Sequence, residues 1–208
     1  MRLHRFLGNF NLAKDELAAT DPELLSQWRS VLRLEAGDHV ILTDGHGTEA
    51  EAEIIAIDKK AATLRIISRE RIRREPAKNL TIYASLLRRE NFELVVQKAT
   101  EIGVARIVPL ITSRTVKTGF NRERIDKIVK EACEQSGRTT TPTLSDPIGF
   151  TEAVKERVPE ETILFDGSGL PLERAPFGKV TGFFIGPEGG FADTEVSLAK
   201  DAGFAIIS

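Results

Sequence analysis

Cysteine is nearly absent from this chain of 208 residues. The one present, Cys133, leaves no internal disulfide and no cysteine-built metal cage, and it reads most simply as a buried apolar residue. Histidine is almost as scarce, and His4, His39 and His46 stand apart with no ligand spacing. No apolar run approaches the roughly 18 residues a membrane helix needs. The opening MRLHRFLGNF lacks the apolar core of a secretion signal. The chain is therefore expected to be cytoplasmic, metal-free and without a membrane partner. A GxGxxG fingerprint is missing as well, which argues against an oxidoreductase built on a nucleotide cofactor. No GK[ST] marks a P-loop, and no Ser–His–Asp or Cys–His set stands in a persuasive order.

What the chain does contain is the ordinary balance of a globular protein with a core, 41% hydrophobic and 29% charged. The net charge of −2 is unevenly spread: residues 1–80 are balanced, 81–140 carry +4 and 141–208 carry −6. A basic middle in an acidic protein suits phosphate, and it equally suits a set of solvated helix faces.

The first 70 residues read as mostly β. Segments 39–43, 49–57 and 62–68 are rich in Ile, Val and Leu, with a hairpin signal at Asp44-Gly45-His46-Gly47. One helix begins at Asp21-Pro22, with Asp as cap and Pro in the first helical position, and ends before Gly37. Residues 71–79 are charged and aperiodic and look like a linker. From residue 80 short apolar strands (81–86, 106–111, 162–165, 182–185, 204–207) alternate with helices (92–102, 122–136, 151–157, 194–202). Phe92, Val95, Val96 and Ala99 make one apolar helix face. The alternation predicts an α/β domain over 80–208 with a parallel sheet covered on both faces, after a small barrel over 1–70.

Two glycine-bearing segments leave strand ends, where open α/β sheets bind ligands. Gly186-Pro187-Glu188-Gly189-Gly190-Phe191 precedes a helix that Asp193 can cap, and its glycines let backbone approach a ligand closely. Phe165-Asp166-Gly167-Ser168-Gly169 is read as a second loop, forming the opposite wall of one pocket. A tight turn and a surface connection remain the plainer alternatives. Lys98 and Glu101 are neighbours on one helix face. Arg138 follows Gly137 at a helix end, placed to reach a phosphate.

Together these segments resemble the bacterial uridine-N3 methyltransferases of 16S ribosomal RNA, in the SPOUT superfamily of knotted methyltransferases. The likeness runs through the whole chain. Arg2-Leu3-His4-Arg5-Phe6 and Val31–Leu34 before Gly37-Asp38 resemble that family's PUA-like RNA-binding barrel. Residues 97–104, Arg114, 131–138 and 185–191 resemble its catalytic-domain motifs. The resemblance implies S-adenosylmethionine as cofactor, N3 of a 16S uridine in the assembled small subunit as acceptor, and a homodimer. It implies cofactor contacts from Phe165, Asp166, Gly167, Gly186, Pro187, Glu188, Gly189, Gly190 and Ile206. Arg2, Arg5, Lys98, Arg114 and Arg138 are candidates for RNA phosphates, and Arg114 and Arg138 also for the catalytic role. A non-catalytic RNA-binding assembly factor is the competing reading.

The chain stops at Phe204-Ala205-Ile206-Ile207-Ser208, whereas family members continue with a Leu-Gly turn and a Leu-Arg-x-Glu-Thr-Ala motif opening a final helix. That segment would supply a third cofactor loop, complete the trefoil knot and pack the dimer. The expectation is a truncated end, with 204–207 an inner strand open to water on one face.

Overall fold

Among the described residues, one hydrophobic cluster is gathered on the five-stranded sheet and another on the seven-stranded sheet. A computed structural model describes residues 3–72, 74–116, 119–156 and 161–208. They divide into two units, Met1–Glu75 with Cys133–Thr141, and Pro76–Ala132 with Pro142–Ser208.

The first unit contains strands β1 (His4–Leu7) and β2 (Glu16–Ala19), helix α1 (Pro22–Ser26), and strands β3 (His39–Thr43), β4 (Thr48–Ile57) and β5 (Ala62–Arg71). Their order in the sheet is β1-β3-β4-β5-β2, with β1 parallel to β3 and the other pairings antiparallel. Alternation along β4 buries Ala50, Ala52 and Ile54, while the intervening acids stay at the surface side. Asp21 caps α1 as its position suggested, accepting from the N–H groups of Glu23 (2.9 Å) and Leu24 (3.3 Å). The helix then widens into a π-turn over Gln27–Val31, which drives Trp28 into the core against Phe6 at 5.0 Å. The β3–β4 hairpin turns on Gly45 and Gly47, both at positive φ (74° and 99°). Strands β1 and β2 carry no sequence signal strong enough to expect them, being four residues each.

The second unit contains β6 (Asn79–Ser85), α2 (Arg89–Glu101), β7 (Arg106–Ile111), α3 (Arg122–Ser136), β8 (Thr143–Leu144), β9 (Ile148–Gly149), α4 (Phe150–Glu156), β10 (Glu161–Leu170), β11 (Val180–Ile185), α5 (Asp193–Asp201) and β12 (Ala205–Ile207). The last turn of α3 is counted with the first unit. Every pairing in this sheet is parallel, in the order β12-β10-β11-β6-β7-β8, with β9 also on β7. The Tyr83 and Phe184 rings stack at 4.2 Å in its core, with Phe150, Phe191 and Phe204 around them. The chain leaves β6 for β7 on one side, while β11 lies on the other. Their carboxyl ends therefore flank a switch in strand direction of travel across the sheet, the place where such sheets bind ligands.

Three expectations need correcting here. Residues 166–169 form no loop: β10 continues to Leu170 through an irregularity between Phe165 and Leu170. Gly169 allows this, since a Cβ there would lie 2.5 Å from the Ile207 nitrogen. Strand β12 is an edge strand, paired with β10 alone in the sheet path. Its side chains are nevertheless covered, with Phe204 and Ile206 at 9% exposure and Ile207 at 1%, because α5 and the aromatic core lie against it.

Candidate functional site

The strand ends of β12, β10 and β11 are neighbours, so segments far apart in sequence meet at one sheet edge. After β11 the chain turns tightly. The Gly190 N–H donates to the Pro187 carbonyl (2.8 Å), and Gly190 sits at φ 70°, a conformation costly for any side chain. Phe191 folds back so closely that a Cβ on Gly186 would lie 3.1 Å from its ring. The buried Phe191 ring then anchors the turn against Phe150 at 5.3 Å.

The glycines differ in what surrounds them. Gly186 and Gly169 are needed for packing within the chain. Among the described residues, a Cβ on Gly167 or Gly190 would meet nothing within 4 Å, and on Gly189 only the Arg114 Cδ at 3.6 Å. Around these three, the backbone is open to an incoming molecule. On β10, the Asp166 carboxylate accepts from both the hydroxyl (2.6 Å) and the N–H (2.9 Å) of Ser168. These bonds outweigh partial burial and hold its pKa below the usual carboxylate range, so it stays an ionised acceptor.

Arg114 reaches the turn from the segment after β7, donating from Nη1 to the Gly189 carbonyl at 2.5 Å. A residue the sequence reading missed holds this arrangement. Glu195 is 7% exposed, and its two oxygens accept from the Ser113 N–H and the Ala192 N–H, each at 2.8 Å. One carboxylate thus ties the Arg114 segment to the start of α5. Asp193 was expected to cap that helix. It is instead the first helical residue; Ala192 is the cap position, and Glu195 three residues on does the capping. A Glu at that offset before an apolar helix was the available signal. Asn91, in the first turn of α2, donates to the Glu188 carboxylate at 3.4 Å.

The predicted cofactor residues thus fall on three adjacent strands: Phe165, Asp166 and Gly167 on β10, Gly186, Pro187, Glu188, Gly189 and Gly190 after β11, and Ile206 on β12. Ile206 pairs with Leu164 and is buried. The predicted RNA residues divide between the two units, Arg5 and Arg138 in the first and Lys98 and Arg114 in the second. Arg2 lies outside the described residues. Arg5 forms an ion pair with Glu49 in the first unit. Lys98 pairs with Glu101 (2.8 Å) on an exposed helix face.

Arg138 is a correction. Gly137 ends α3 at φ 74° as expected, but the Arg138 side chain turns into the first unit and meets Glu75 at 2.6 Å, only 6% exposed. Its guanidinium is thus held within the first unit rather than standing free at the helix end.

Comparison with known proteins places the same regions. The family model for an RNA methyltransferase domain matches residues 73–208, and that for an RNA methyltransferase PUA domain matches 29–67. Ribosomal RNA small subunit methyltransferase E of Rickettsia conorii is 28% identical over 207 residues, covering 95% of this chain and 83% of the relative. The Synechocystis protein of the same name is 31% identical over 188 residues, covering 86% of this chain and 61% of its own length. Among solved structures, ribosomal RNA small subunit methyltransferase E from Neisseria gonorrhoeae, bound to S-adenosyl methionine, superposes with a TM-score of 0.89 at 28% identity over 100% of this chain and 89% of that one. A Legionella pneumophila chain in complex with SAM gives 0.91 at 30% identity, with the same coverage. The chain therefore belongs to the RNA methyltransferase family, alongside the proteins named ribosomal RNA small subunit methyltransferase E.

Proposed function

We propose that this protein transfers a methyl group from S-adenosylmethionine to N3 of a specific uridine in 16S ribosomal RNA. It acts in the cytoplasm, on the assembled small subunit, as a homodimer through the methyltransferase domain. The observation that carries this reading is the open backbone at Gly167, Gly189 and Gly190, where the ends of adjacent strands β10 and β11 meet. These residues fit the cofactor. Glycine backbone admits close approach, Asp166 offers an ionised acceptor, and the buried Ile206 gives an apolar floor. The solved relatives that carry this cofactor support the same assignment. In this reading the five-stranded sheet is a PUA-like barrel. The passage of the chain from β11 past β10 to β12 opens a trefoil knot.

The cofactor, when bound, supplies a methyl group activated on a sulfonium. The chain's own residues then have two tasks, positioning and charge. Uridine N3 is an imide nitrogen that attacks well only after losing its proton, so a cation near it favours the reactive form. Arg114, pinned to the Gly189 carbonyl and indirectly by Glu195, is the residue to which we assign that role.

The test is a calorimetric titration with S-adenosylmethionine. Gly189→Val is expected to abolish binding while thermal unfolding stays cooperative, because the added Cβ meets only Arg114 within the chain. Unchanged affinity in that variant overturns the placement of the cofactor. A chain extended by the family-type C-terminal segment that binds ribosomal RNA but still no cofactor would establish the assembly-factor reading instead.

A further inference from the structure

A separate concavity of about 270 Å³ lies beyond the carboxyl end of β6, on the side of α2 and α3. Its apolar lining comes from Leu86 and from Phe92 and Phe120, whose rings meet edge-on at 6.4 Å. Phe92 is buried and belongs to the core side, whereas Phe120 is half-buried and forms a wall. Arg89 and Arg124 stand at the rim, and one carboxylate holds both. Arg89 donates to Glu93 at 3.0 Å, and Arg124 donates to it through Nε (3.3 Å) and Nη2 (2.9 Å). Hydrogen bonds from Arg124 and then Arg89 keep the Glu93 pKa below the usual range, so the carboxylate is charged and both guanidinium groups are turned toward it at the rim.

Two cations sharing one anion leave the rim positive. The volume lies below the roughly 300–1,000 Å³ of sites that take drug-sized ligands, which suits a single ring system. An aromatic wall, an apolar lining and oriented guanidinium planes beside residual positive charge are what an unstacked nucleobase with its phosphate requires. The pocket also adjoins the proposed cofactor site. Asn91, next to Phe92 in sequence, bonds to Glu188 of the glycine turn.

We infer that this pocket receives an unstacked base of the RNA substrate, Phe120 giving the stacking face and Arg89 with Arg124 the adjoining phosphate. The inference rests on the proposed function, since it presumes an RNA substrate. It is tested by fluorescence anisotropy of the full chain with a short labelled oligouridylate, and with an abasic oligomer of equal length. Phe120→Ala is expected to weaken oligouridylate binding about 5- to 150-fold, the range of one base–aromatic stack, and to leave abasic binding unchanged. Phe120→Trp, which keeps an aromatic face, is expected to retain the parent affinity. Equal binding of oligouridylate by parent and Phe120→Ala overturns the inference, as does an equal loss on both oligomers. A parent that binds neither oligomer also overturns it. The cofactor titration is read separately, so failure of the pocket and failure of the methyltransferase reading are distinguishable.

Discussion

A buried carboxylate must offer its oxygens to donors, and Glu195 does this with the N–H groups of Ser113 and Ala192. Replacing it by Gln sets an NH₂ group against one of those donors. Glu195→Gln is expected to lose about 1.5–3 kcal/mol of stability, the worth of a hydrogen bond to a charged group. It is also expected to weaken cofactor binding, because Arg114 loses its support. Urea unfolding and calorimetry on the same preparation check both. A destabilised variant with parent affinity would show that the Arg114 segment needs no such tie. Cys133 is governed by the same desolvation. Burial pushes its thiol from the ordinary 9.0 up to about 11, with Arg138 opposing and Glu75 and Glu134 adding. The folded protein should therefore resist thiol reagents at pH 8 and react only as it unfolds. A folded pKa above the unfolded one favours folding fully below about pH 9, and this contribution is lost as pH climbs through 11. Rapid labelling of native protein at pH 8 would contradict the burial.

Among the secondary-structure elements, those with a strong local period were legible and those defined by a distant partner were not. The hairpin from β3 to β4, the cap of α1 and the apolar face of α2 depend on neighbours in sequence. Strand β1 exists because His4–Leu7 pairs with Val40–Thr43, and nothing in four residues announces that. The glycine-rich run 166–169 shows the opposite error. Its composition says loop, yet Gly169 lets β10 continue because its missing Cβ leaves room for the backbone of Ile206 and Ile207. The tight turn after β11 was legible because strand, turn and helix follow one another directly. Glu195 was overlooked in favour of Asp193, since a cap acting from the third helical position leaves no oxygen at the cap itself. The element-level consequence is testable. Gly169→Ala forces a methyl to within 2.6 Å of backbone atoms, which must shift. Overpacking of this kind costs typically about 1–3 kcal/mol, and hydrogen exchange should show β12 loosened while β6 and β7 keep their protection. Unaltered exchange at Ile206 and Ile207 would mean that the sheet edge accommodates the methyl freely.

At the scale of the whole molecule, the charge distribution and the ion pairs must be read together. The +4 of residues 81–140 suggested an RNA surface, but charge counted along a sequence does not say which cations remain available. Arg138 lies within that segment and is consumed inside the first unit by Glu75. Lys98 is held by Glu101 only at the surface, with its side chain 57% exposed. A surface ion pair is worth little and exchanges readily for a phosphate, whereas a buried pair does not. The two residues should therefore separate in a salt titration of RNA binding. Each phosphate contact to RNA single strands contributes about 0.7 to the slope of log affinity against log salt concentration. Lys98→Ala is expected to flatten that slope by about one such increment and to leave thermal stability close to the parent. Arg138→Gln is expected to keep the parent slope and to lower stability by about 1.5–3 kcal/mol, since it removes a charged hydrogen-bond partner from the half-buried Glu75 carboxylate. Equilibrium binding over a range of potassium chloride, paired with urea unfolding of each variant, supplies both readings. A parent-like slope for Lys98→Ala would take that helix face off the RNA surface. A flattened slope for Arg138→Gln with unchanged stability would mean that its guanidinium leaves Glu75 to meet the RNA.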